Sequence, residues 1–237
     1  MKIALIGYGK MGKAIEEVAM GRGHEISFRI GRSNLDLMSR IREADLAIEM
    51  TGPESAAVNI LQCLEAGVPV VSGSTGWLNR LQEVKKCCEE KAGSFLYASN
   101  FSIGVNLFFQ FNEQLARWMH SYPEYRPIIE ETHHTEKKDR PSGTAITLAE
   151  TILSVYPEFF GWALAPYTEE KKLPIMCHRI DPAPGTHIVR YKSEIDDLEI
   201  THTAHSRKGF AQGAVFAAEF LLGKPGIFSM KDALRLP

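Results

Sequence analysis

Short apolar runs alternate with helical stripes through the first hundred residues. Lys2-Ile3-Ala4-Leu5-Ile6 reads as a buried strand, Ala14, Ile15, Val18 and Ala19 as one face of a helix, and Glu25-Ile26-Ser27-Phe28-Arg29-Ile30 as a second strand. Apolar runs over 44–51 and 68–71 predict further parallel strands with a helix over 54–66 between them. A helix over 78–91 and a strand over 94–98 follow. Strand and helix in this order predict a doubly wound, Rossmann-like parallel sheet.

From Ile103 the pattern changes. Leu107, Phe108, Phe111, Leu115 and Trp118 form the stripe of a helix over 105–120, and Arg126-Pro127-Ile128-Ile129-Glu130-Glu131-Thr132 reads as a strand. Ala145, Ile146, Leu148, Ala149, Ile152 and Leu153 give a helix over 144–155, and extended segments follow over 173–180, 186–192 and 198–204. This is a smaller α+β domain with an open mixed sheet, one face of which calls for a partner subunit. A last helix over 213–222 and the tail are expected to return to the nucleotide domain. The expected division is 1–102 with 208–237 for dinucleotide binding, and 103–207 for substrate binding and oligomerisation.

Composition narrows the function classes. The net charge of −2 leaves no basic field to hold nucleic acid or an anionic membrane, so an acidic ligand must be gripped locally. No apolar stretch is long enough to span a bilayer, and the N-terminus enters a strand without a signal-peptide pattern. The four cysteines lack CxxC spacing, so reduced thiols and a cytoplasmic location are expected.

Gly7-Tyr8-Gly9-Lys10-Met11-Gly12 is a GxGxxG turn between a strand and a helix. Its first two glycines permit the tight turn and the approach of a pyrophosphate, and the third lets helix and strand pack. The second strand ends in Arg29-Ile30-Gly31-Arg32 in place of the acid that holds the ribose of NAD, a lean through Arg29 toward NADPH or dual use of NADH and NADPH. Loops at the carboxyl ends of later strands, Gly73-Ser74-Thr75 and the one holding Asn100, are candidates for the nicotinamide side.

The densest chemistry is Glu130-Glu131-Thr132-His133-His134-Thr135-Glu136-Lys137-Lys138-Asp139-Arg140-Pro141-Ser142-Gly143-Thr144. On an extended segment His133 and His134 point to opposite faces and need different tasks. The amides of Gly143 and Thr144 open a helix, where unpaired N–H groups favour a carboxylate or phosphate. A histidine and a nearby lysine suit proton transfer near neutrality.

Taken together, the fingerprint, Gly73-Ser74-Thr75-Gly76-Trp77, Ala98-Ser99-Asn100-Phe101-Ser102, Glu131-Thr132-His133-His134 with Lys137, Pro141-Ser142-Gly143-Thr144-Ala145, and Ile200-Thr201-His202 with Ser206-Arg207 resemble the dihydrodipicolinate (4-hydroxy-tetrahydrodipicolinate) reductase family. The resemblance runs nearly end to end. It implies NAD(P)H-dependent reduction of a small cyclic dicarboxylate on the diaminopimelate route to lysine, by a homotetramer. It implies His133 as proton donor and acceptor, Lys137 as second donor, and His134, Gly143 and Thr144 as substrate ligands. Gly73, Ser74, Thr75, Ala98, Ser99, Asn100 and Phe101 would line the nicotinamide. No metal is required, because hydride chemistry belongs to the nicotinamide. The chain departs from the family in a short segment before Ala44, in the missing ribose acid, and at Arg179–Gly185, which replaces a glycine-rich loop. Two other readings stand beside this one: an amine or amino-acid dehydrogenase of the same architecture, and an NAD(H)-sensing regulator.

Overall fold

A computed structural model describes residues 1–166, 170–206 and 208–236; Arg207 of the Ser206-Arg207 pair lies outside them. The chain divides into two compact units, Met1–Ile103 with Arg207–Pro237, and Gly104–Ser206.

The first unit is built on six parallel strands: β1 (Lys2–Ile6), β2 (Glu25–Ile30), β3 (Leu46–Glu49), β4 (Val70–Ser72), β5 (Ser94–Tyr97) and β11 (Gly226–Phe228). Their order is β11-β5-β4-β3-β1-β2. The chain leaves β1 for β2 on one side and returns for β3 on the other, so the order of strand addition reverses at β1. The central strands have no polar face, because helices cover both sides. On one side α1 (Lys10–Gly21) and α6 (Lys208–Leu221) bury Ile15, Ala19, Ala214 and Ala218 against Ile3, Leu5 and Ile48. On the other, α2 (Ala56–Glu65) and α3 (Leu81–Glu90) bury Ile60, Leu64 and Val84 with Ala4, Ile6 and Val70.

The second unit holds a mixed five-stranded sheet in the order β10-β9-β6-β8-β7. Its strands are β6 (Arg126–His133), β7 (Trp162–Leu164), β8 (Leu173–Arg179), β9 (Gly185–Lys192) and β10 (Asp197–Ala204). Strand β6 runs parallel to β8 and antiparallel to β9. Helices α4 (Ile103–Met119) and α5 (Gly143–Leu153) supply Leu115, Ala116, Leu148 and Ile152 to a core with Ile129, Ile175, Val189 and Tyr191. On the opposite face Arg190 bridges Glu130 and Glu199, among the half-buried Ile128, Met176 and Ile188.

Some elements depart from the expected pattern. Helix α6 begins at Lys208 and runs through Gly213, the residue expected to start it. The reason is packing: a Cβ at Gly213 would lie 1.7 Å from the Phe101 carbonyl oxygen. The segment Leu35–Glu43 forms 3-10 turns that bury only Ile41, too little for a periodic stripe. Strands β7 and β11 span three residues each and are defined by pairing rather than by any local pattern. A short helix α7 (Met230–Ala233) is closed by a Ser229–Asp232 capping box. Among the described residues no helix is long and apolar enough to cross a membrane.

Candidate functional site

In the first unit, strands β1, β3, β4 and β5 all end on one edge, and their loops line two adjoining hollows. Gly7 has φ +96° and sits so close to the next loop that a Cβ would fall 2.3 Å from the Met50 oxygen. A Cβ at Gly12 would meet the Gly7 oxygen at 2.5 Å. Both glycines are therefore required by backbone contact. Gly9 differs: its missing Cβ would face open space. It also precedes α1 without any side-chain cap, so the amides of Lys10 and Met11 open the helix toward that space. A dinucleotide pyrophosphate fits this cradle.

A groove of about 910 Å³ runs along Gly7, Tyr8, Gly9, Gly31, Arg32 and Thr51. A smaller cleft of about 380 Å³ is bounded by Met11, Met50, Gly73, Ser74, Thr75, Ser99, Asn100, Phe101 and Phe210. Ala98 lies behind it, buried, its N–H donating to the Ser72 carbonyl at 3.1 Å. Arg29 does not line the groove. Its guanidinium is taken by Glu16 (Nε to Oε1, 2.9 Å), which the Tyr8 hydroxyl also contacts. The exposed Arg32, three residues on, does line the groove.

Beneath both hollows lies a residue that sequence patterning passed over as an ordinary strand position. Glu49, at the end of β3, is fully buried. Its Oε1 accepts the Thr51 N–H (2.9 Å), the Thr51 hydroxyl and the Ser74 hydroxyl (3.0 Å), and its Oε2 accepts the Ser72 hydroxyl at 2.7 Å. One carboxylate thus ties the loops of Thr51 and Ser74 together. Trp77 pins the second from the far side by donating Nε1–H to the Ser74 carbonyl at 2.7 Å.

In the second unit β6 alternates strictly, burying Pro127, Ile129, Glu131 and His133. Register places Glu131 beside His187 of β9 and Cys177 of β8, and His133 beside Arg179. Arg179 Nη2 donates to Glu131 Oε1 at 2.9 Å, and the Ser142 N–H donates to Oε2 at 3.0 Å. Ser142 caps α5, its hydroxyl accepting the Ala145 N–H at 3.2 Å and lying 3.0 Å from His187 Nε2. The carboxylate therefore anchors the helix start whose first amides are those of Gly143 and Thr144.

His133 is 7% exposed, with Nδ1 3.7 Å from Glu131 Oε2 and no hydrogen-bond partner on that nitrogen. Burial lowers its pKa, opposed by the Glu131 charge. His187 is driven down to about 3, first by burial and then by the charge of His133. Burial alone would raise Glu131, but hydrogen bonds from Ser142, Arg179 and Cys177 outweigh it and hold the carboxyl below its usual range. Burial and the Glu131 carboxylate push the Cys177 thiol up to about 12. One ligand atom each from Glu131, His133 and His187 lie within 4.8 Å, but the Arg179 guanidinium and the Ser142 N–H already occupy the two carboxylate oxygens.

His134 lies just past the end of β6 and is half-buried. Lys137 is held by Asp139, with Nζ 2.7 and 2.9 Å from its oxygens. The departing loop after Arg179 contributes Asp181, which accepts the Thr135 N–H at 3.2 Å. It also contributes Gly185, whose Cβ would stand 3.1 Å from His133 Nε2. Arg179 and His187 were missed in the sequence, although period-two counting along their strands puts each on the covered face.

Two family descriptions divide the chain between them: Dihydrodipicolinate reductase, N-terminus, over residues 1–101, and Dihydrodipicolinate reductase, C-terminus, over residues 104–234. The chain is 49% identical to a 4-hydroxy-tetrahydrodipicolinate reductase of Christiangramia forsetii, over 99% of this chain and 98% of that protein. It is 36% identical to one of Methanosarcina barkeri, over 86% and 78%. In structure it is similar to a dipicolinate-bound dihydrodipicolinate reductase from Paenisporosarcina sp. TG-14, with a TM-score of 0.80 at 21% identity and 98% of both chains covered, a likeness of fold. Both halves and nearly the whole length carry the likeness, and the chain belongs to the dihydrodipicolinate reductase family, a family of oxidoreductases.

Proposed function

We propose that the chain uses NADH or NADPH to reduce 4-hydroxy-tetrahydrodipicolinate to tetrahydrodipicolinate, with loss of water, in the cytoplasm. One observation carries the residue assignments: a helix start with open amides at Gly143 and Thr144 is bonded through Ser142 and Glu131 to the strand that presents His133. A cyclic dicarboxylate needs an anion grip and a proton source together, and this junction supplies both.

The nicotinamide cofactor supplies hydride when bound. Gly7, Gly9, Lys10, Met11 and Gly12 would hold its pyrophosphate, and the cleft from Gly73 to Thr75 and Ser99 to Phe101 its nicotinamide. Arg32 is better placed than Arg29 to meet a 2′-phosphate, since Glu16 already neutralises Arg29. His133 delivers the proton as negative charge builds on the substrate ring, having first taken one up on its ring; burial lowers its pKa and the Glu131 charge opposes that, favouring the protonated form. Gly143, Thr144 and His134 hold the substrate carboxylates. Lys137 serves as second donor once Asp139 releases it. The uncovered sheet face with Ile128, Met176 and Ile188 would bury itself in a homotetramer.

A coupled assay tests the reading. Substrate is generated in place from pyruvate and aspartate semialdehyde by a synthase, and oxidation of NADH and of NADPH is followed separately. Rapid oxidation that depends on the synthase is expected. Protein that binds a cofactor but oxidises neither would defeat the proposal.

A further inference from the structure

Resting on the reading that His133 exchanges a proton with substrate, we propose that Glu131 is a positioning residue that fixes the tautomer and proton affinity of His133 and couples them to the anion-binding start of α5. The geometry is asymmetric. The inner nitrogen, Nδ1, is buried without a hydrogen-bond partner, and the Glu131 carboxylate stands 3.7 Å away at ion-pair distance. The other nitrogen, Nε2, is the one beside Gly185, where only the absence of a side chain leaves room. A carboxylate on the inner side favours the Nδ1–H form, which leaves the Nε2 lone pair for proton transfer. When Nε2 takes a proton, the imidazolium faces a negative charge already in place.

The other charges around His133 do not provide this. Lys137 and Asp139 come from the loop after β6 and neutralise each other. Arg179 comes from β8 and opposes an imidazolium, but its charge is matched by Glu131. His187 comes from β9, its ring centroid 5.0 Å from that of His133, and is held neutral by burial. Glu131 is therefore the carboxylate on β6 that compensates the buried Arg179 beside His133. The same carboxylate accepts the Ser142 N–H. Movement of His133 and movement of the Gly143–Thr144 grip are transmitted through one group.

The test is a pH titration of the full-length protein labelled with 15N at histidine, followed by long-range 1H–15N correlation, with His133 assigned by the resonance lost in His133→Gln. Wild type is expected to hold His133 as the Nδ1–H tautomer at neutral pH. Glu131→Gln should mix the tautomers and lower the His133 pKa by about 1–2 units, as an uncompensated Arg179 then faces it. The basic limb of the kcat profile, where His133 loses the proton it delivers, should move down by the same amount, a change that loss of packing alone does not produce. Glu131→Asp, which keeps the charge, should restore most of the pKa while raising KM. An Nε2–H tautomer in wild type overturns the proposal without any variant, as does a His133 pKa unchanged in Glu131→Gln. These spectra do not depend on turnover. A failed coupled assay with an intact Glu131–His133 linkage would therefore count against the assigned reaction and not against the linkage.

Discussion

Removing the Glu49 carboxylate is the sharpest perturbation of the cofactor side. In Glu49→Ala one amide and three hydroxyls lose their shared acceptor, and Ser72 and Ser74 have little solvent to turn to, being 0% and 6% exposed. A hydrogen bond to a charged group contributes roughly 1.5–3 kcal/mol, and a stranded buried donor costs roughly 1–3 kcal/mol. The Thr51 hydroxyl is less affected, since Thr51 is exposed and its O–H can turn to water. Two stranded serines and one amide, each in the lower half of that range, then give a total of about 3–6 kcal/mol. For a chain of this size that is a fall in Tm of roughly 10 °C. Glu49→Gln separates charge from shape. Its carbonyl can replace Oε1 and keep three donors, while its NH₂ donates to Ser72, so the loss should be only about 1–2 kcal/mol. Because the loops of Thr51 and Ser74 line the hollows, NADH affinity should fall about 3- to 10-fold in Glu49→Gln. Thermal unfolding and fluorescence titration with NADH read the two effects. A Glu49→Ala protein with unchanged Tm and unchanged NADH affinity would refute the reasoning.

Three further expectations follow from close contacts and charges. Gly213→Ala places a Cβ 1.7 Å from the Phe101 oxygen and should weaken NADH binding at least 10-fold, whereas Gly209→Ala, with 3.8 Å to its nearest neighbour, should bind NADH normally; equal affinities would show that Phe101 does not shape the cleft. Arg32→Glu should weaken NADPH more than NADH, while Arg29→Glu, already neutralised by Glu16, should affect both alike; the reverse ranking in a competition titration would return the phosphate contact to Arg29. His187 has a folded pKa of about 3 against an unfolded value near 6.5, so below pH 6.5 the unfolded chain binds the proton that the folded one refuses. Stability should therefore drop by about 2 kcal/mol between pH 6.5 and 5, and this part of the slope should vanish in His187→Asn when urea unfolding is measured across that range.

What could be read from the chain divides along a physical line. The glycines at 7 and 12 were legible because their role is local: strand, turn and helix follow one another, and the close contacts lie within a few residues or at the next strand end. The alternation of β6 was legible for the same reason, and it places His133 on the covered face beside Glu131. Glu49 was not, because β3 is buried at all four positions and period two carries no information in such a strand. Its function is set by donors on loops reached only after the sheet assembles. Arg29 illustrates the converse. Its place at the end of β2 fits a phosphate contact, but α1 brings Glu16 across to it, and a cation with a carboxylate partner is poorly suited to a second anion. Arg179 reaches Glu131 across 48 residues of chain through parallel pairing of β6 and β8, a register that no local pattern specifies. Most of the residues proposed to touch ligands sit where turns must be, and turns announce themselves in sequence. The residues that hold those turns in place are chosen by tertiary register, and a buried carboxylate with three or four donors is how both units of this chain do it.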